Sequence, residues 1–68
     1  SEKVIRKYLL EEIESLYKNK EYDEINYLYK EVFVEEVDIK TKYKQLIDGI
    51  NNNFNDNYKR LYDIVKMT

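Results

Sequence analysis

From Ile39 to Val65 apolar side chains recur every three or four residues without losing the rhythm. At about 100° per residue, Ile39, Tyr43, Leu46, Ile47, Ile50, Phe54, Tyr58, Leu61, Ile64 and Val65 fall in one sector of about 120°. Only an α-helix gathers that spacing on one face, because a strand turns every second side chain the other way. Yet the stripe passes through INNNFNDN, where five of the seven residues from Asn51 to Asn57 are asparagine.

Two readings are open. In the first, one helix runs unbroken over residues 39–67. The asparagines then lie mostly outside the stripe, with Asn57 inside it, and Phe54 sits at its centre. In the second, the chain breaks within 51–57. One Gly and five Asn cost roughly 3–4 kcal/mol relative to Ala in a helix interior. Gly49 offers a C-terminal stop, and Asn55, Asp56 or Asn57 offers a new N-cap. No Pro marks a break, and none of these caps has the Glu three residues on that completes a capping box. The expected fold is therefore all-α, an antiparallel hairpin plus a long third helix. The alternative is a four-helix bundle.

The remaining helices are plainer. Ile5, Leu9, Ile13 and Leu16 make one face of a helix over about 2–19. Ser1 is placed to cap it, Glu2 lies in its first turn, and Lys18 and Lys20 lie at its end. Ile25, Leu28, Tyr29, Val32 and Phe33 share a face over about 22–36. Asn19 to Glu21 forms a tight connection, as in a helical hairpin. Asp38 is the expected N-cap of the third helix.

A helix of about 30 residues is roughly 45 Å long, against about 25 Å for the first two. The unbroken reading leaves Phe54, Tyr58, Leu61, Ile64 and Val65 projecting beyond the hairpin. An exposed apolar stripe of that size marks an interface. These five residues are the expected partner-binding anchors, and the expected partner is a second copy or another protein. Leu10 with Tyr17, and Tyr27 with Val34, add weaker flanks, which read either as ordinary surface residues or as a Tyr-rich contact surface.

Sixty-eight residues make one small domain, residues 1–68. A chain this short needs a staple. With no Cys and no His, disulfides, thiolate zinc sites and histidine bases are excluded. Regular helix packing or self-association is left. Eight Tyr make the core half-wet, since each hydroxyl needs a partner or water. Ala and Pro are absent and Lys outnumbers Arg ten to two, a bias that reads as an AT-rich genome.

No catalytic function is expected. Nearly all the carboxylates fall on polar helix faces, with Glu12 near the apolar stripe of its helix and Glu36 at the edge of its own. No EF-hand spacing occurs, and one Gly cannot build a phosphate loop. No cofactor or metal is expected. No run approaches the 18 or so apolar residues of a membrane span, SEKVIRKYLL lacks a signal-peptide core, and the expected location is cytoplasmic. Residues 1–37 carry six basic and ten acidic side chains, and residues 38–68 six basic and four acidic. That asymmetry favours one half packing on the other, or on another copy. A small nucleic-acid-binding regulator, using Lys40, Lys42, Lys44, Lys59 and Arg60, is the alternative function. These cations scatter around the helix instead of forming the clustered face a nucleic-acid binder needs, so a nucleic-acid partner is not expected.

Residues 16–33, LYKNKEYDEINYLYKEVF, resemble the turn and second helix of a tetratricopeptide hairpin. Leu16–Tyr17, Tyr22–Asp23–Glu24, Tyr29 and Val32 carry the resemblance. Lys20 stands where the family has a small turn residue, and Ile25 where it has Ala. With no second repeat, the resemblance implies a helical hairpin and not an array.

Overall fold

The structure, a computed structural model, describes residues 1–67. Four helices make it up: α1 (Glu2–Lys18), α2 (Tyr22–Lys30), α3 (Ile39–Asn52) and α4 (Asp56–Met67). All regular structure among the described residues is helical. The unbroken third helix is corrected: the chain turns at Asn53–Asn55, inside the segment named by the four-helix alternative.

α1 begins as its sequence dictates, with the Ser1 hydroxyl accepting from the Val4 N–H. Its end is a Schellman turn. Glu21 N–H donates to the Leu16 carbonyl at 2.9 Å and Lys20 N–H to that of Tyr17 at 3.1 Å. Lys20 takes the left-handed conformation, φ 59°, usually left to Gly. The turn hands the chain directly to α2.

α2 stops at Lys30, six residues short of the expected end. After Glu31 come Val32, Phe33 and Val34, a β-branched and aromatic run with poor helix propensity. Phe33 N–H still bonds back to the Tyr29 carbonyl at 2.8 Å. The Phe33 ring then stacks on Tyr29, centroids 4.6 Å apart, while Val34 is fully exposed. Asp38 restarts the helix, its carboxylate accepting from Thr41 N–H at 2.8 Å.

The break between α3 and α4 is decided by burial. Turning back puts Tyr58, Leu61 and Val65 into the core, worth about 1.5–3 kcal/mol for each side chain of this size. Continuing straight saves one set of helix ends but leaves all three in water. Local chemistry completes the joint: Asn53 N–H donates to the Gly49 carbonyl, and the Asn55 side chain accepts from Asn57 N–H at 2.9 Å.

One core results. Leu9, Ile13 and Leu16 come from α1, Ile25, Leu28 and Tyr29 from α2, Leu46 and Ile50 from α3, and Tyr58, Leu61 and Val65 from α4. α1 packs against the other three helices, and α2 also packs on α3. The longest extent is 31 Å and the radius of gyration 10.8 Å. Folded chains of this length average about 11 Å, so no helix among the described residues projects from the body.

Candidate interaction surface

The five expected anchors divide between core and surface. Tyr58, Leu61 and Val65 are buried in the chain's own core; Ile64 on α4 and Phe54 in the α3–α4 joint are half-buried. The sequence pattern that groups all five on one stripe is therefore used first inside the chain.

Two arginines hold the corners of this arrangement. Arg6 on α1 donates from Nε to the Ile50 carbonyl at 3.1 Å and from Nη2 to that of Asn51 at 2.6 Å. These carbonyls belong to the last turn of α3, where no further helical N–H is there to meet them. The same guanidinium lies over the Phe54 ring, 5.6 Å from its centroid. Arg60 on α4 does the equivalent for α2, donating to the Glu31 carbonyl at 2.7 Å and pairing with the Glu31 carboxylate at 3.5 Å. The planar guanidinium holds its donors in a fixed fork that matches two carbonyls, or a carbonyl and a carboxylate, where a lysine offers only a point charge with freely rotating donors. Sequence reasoning missed both roles. The available signal was that the chain has only two arginines among twelve cations.

A second polar knot ties residues 31–38 to the body. The Tyr29 hydroxyl donates to Gln45 Oε1 at 2.6 Å and lies 3.2 Å from Glu35 Oε1. Buried Lys42 donates to Asn26 Oδ1 at 2.9 Å and Glu36 Oε1 at 2.8 Å, and its ammonium lies over the Tyr29 ring. Burial, then the Glu35 charge, raises the Tyr29 phenol above its usual range. The hydrogen bond from Lys42 lowers the Glu36 carboxyl. Among the described residues no buried side-chain N or O lacks a partner, so this knot is a closed structural network.

The surface that remains is aromatic along the seam of α1 and α4. Val4 and Tyr8, one turn apart on α1, are exposed. The Tyr8 ring meets Tyr62 of α4 edge-on at 5.3 Å, and Lys66 lies over the Tyr62 ring. On the far side, Tyr27 and Val34 are also exposed. Tyr17, expected on a flank, instead stacks on Tyr43 of α3 at 4.2 Å, and Leu10 is half-buried.

Of the five cations in the nucleic-acid alternative, Lys42 is buried against Glu36 and Arg60 is engaged with Glu31. Lys59 lies 3.9 Å from Asp56. Lys40 and Lys44 are exposed on α3. No helix among the described residues is long and apolar enough to cross a membrane. Among those residues no three His, Cys, Asp or Glu side chains group as metal ligands. No family model matches the chain, and no curated protein or solved structure matches it.

Proposed function

We propose that this chain is a small helical protein–protein interaction module that works through the α1–α4 side of the molecule. The observation that carries the reading is the Val4–Tyr8–Tyr62 seam. Val4 and Tyr8 are exposed there, and Tyr62, half-buried against the core, meets the Tyr8 ring edge-on. Tyrosine gives a large contact area with few rotatable bonds and a hydroxyl for the wet rim, which is why interfaces are enriched in it. Phe54 and Ile64, each half-buried, extend the apolar surface of α4 and its joint. The function is contact between helices. Catalysis has no part in it.

The test is sedimentation over a wide concentration range, comparing the wild type with Val4→Glu/Tyr8→Glu. Both positions are exposed, so the variant keeps its helical signal. The wild type is expected to gain mass with concentration and the variant to stay monomeric. Equal association by both proteins would remove the seam from the proposal.

A further inference from the structure

We propose that this protein forms a dimer by exchanging α4 between two copies, α3 and α4 of each chain straightening into one continuous helix. This rests on the reading of the chain as a self-associating module and names both the partner and the mode. Three observations carry it.

The first is phase. The joint is only Asn53, Phe54 and Asn55. It contains neither Pro nor Gly, so each of its residues can become helical. When it does, the apolar residues of α4 fall into the same sector of about 120° as those of α3. A joint selected only to end a helix places no such constraint on the residues after it. Here Ile50, Phe54, Tyr58, Leu61 and Val65 keep one face through the asparagines.

The second is reach. Residues 39–67 as one helix measure about 43 Å, beyond the 31 Å longest extent of the closed chain. α4 is then carried off its own α1, and Tyr58, Leu61 and Val65 are bared. The surface that fits them is the one they left, the α1 face of a second copy. Away from the joint, the contacts that hold α4 in the closed chain can be remade between chains: the core residues, the Tyr8–Tyr62 edge contact and Arg60 on Glu31. Exchange of an identical element is self-complementary and closes as a two-fold dimer.

The third is what opening replaces. The Ile50 and Asn51 carbonyls that Arg6 caps in the closed chain receive the N–H groups of Phe54 and Asn55 in a continuous helix. The Asn55 cap on Asn57 is exchanged for helical hydrogen bonds. The carbonyls stay paired in both forms, Arg6 is released to solvent, and short joints invite such exchange.

The experiment uses Asp56→Pro and Asn53→Ala/Asn55→Ala. Asp56 is the first residue of α4, where proline is favoured and its missing N–H has no helical acceptor. In a continuous helix the same proline removes a hydrogen bond and strikes the preceding turn. Asp56→Pro is therefore expected to keep the closed monomer and weaken the dimer by on the order of 100-fold or more. The alanine pair raises helix propensity in the joint and is expected to strengthen the dimer roughly ten-fold or more. Sedimentation after incubation at high concentration reads both.

A distance measurement identifies the mode. The chain has no Cys, so spin labels can be placed on cysteines at Lys40 and Lys66 alone, in chains diluted with unlabelled protein. Exchange predicts an intrachain separation of about 39 Å in the dimer. A dimer that keeps the separation measured in the closed monomer overturns exchange and leaves surface association standing. Monomer alone, for wild type and alanine pair, overturns exchange and self-association together.

Discussion

Gly49 sits inside α3 and does not end it. The Tyr58 ring of α4 lies directly on it, and a Cβ at that position would fall within the Tyr58 hydroxyl and ring. Read from sequence, the lone glycine looks like a helix terminator. Its actual use is a notch for a ring that arrives nine residues later in the chain and from another helix. Helix propensity favours Ala over Gly by about 1 kcal/mol, while forcing extra volume into a packed site costs typically 1–3 kcal/mol. The contact should win. Gly49→Ala is expected to lower stability by roughly 1–2 kcal/mol, read from the urea midpoint. On a Tyr58→Leu background the same substitution should be neutral or stabilising, a coupling that a double-mutant cycle measures.

At the scale of elements, the helices differ most in how they end. Ser1 and Asp38 are caps legible from sequence, and the side chains of both accept the expected N–H. The C-terminal ends are not legible. α3 and α2 are finished by Arg6 and Arg60, 45 and 29 residues away, and α1 by a lysine in a left-handed conformation. That last choice carries a cost. Lys20→Gly relieves the Cβ clash without touching a side-chain contact. It is expected to stabilise the protein by about 1 kcal/mol, seen as a higher Tm. The early end of α2 was also hidden. Val32 and Phe33 keep the helical spacing and sit against the core. They do so from a loop, because Phe33 folds back on Tyr29 and Lys42 draws in Glu36.

For the whole molecule, tyrosine and carboxylate ionisation set the range of pH over which the fold survives. Burial raises the phenols of Tyr29, Tyr43 and Tyr58. A group whose folded value is raised contributes stability that is full below its unfolded value and lost as pH rises through the folded one. The loss therefore begins above about pH 10, the ordinary tyrosine value. Glu36, bonded to Lys42, and Asp38, bonded to the side chain and backbone of Thr41, are lowered. Their contribution is present above about pH 4 and lost as pH falls through the folded values. Both carboxylates are exposed, so the acid limb is the shallower. A pH series of thermal melts should show the steeper fall on the alkaline side, accompanied by phenolate absorbance. A steeper acid limb would put the dominant ionisation elsewhere.

The all-helical fold, the start of every helix but α4 and most of the core were legible because they depend on local spacing and local caps. Leu9, Ile13, Leu16, Ile25, Leu28, Leu46 and Ile50 announce themselves by period alone. Whether the stripe through Phe54 and Tyr58 is straight or folded was not legible, since both forms use the same period. Tertiary structure decided it: burying Tyr58, Leu61 and Val65 on the same chain outweighs an uninterrupted helix, and Gly49 and Arg6, far apart in sequence, make the corner fit.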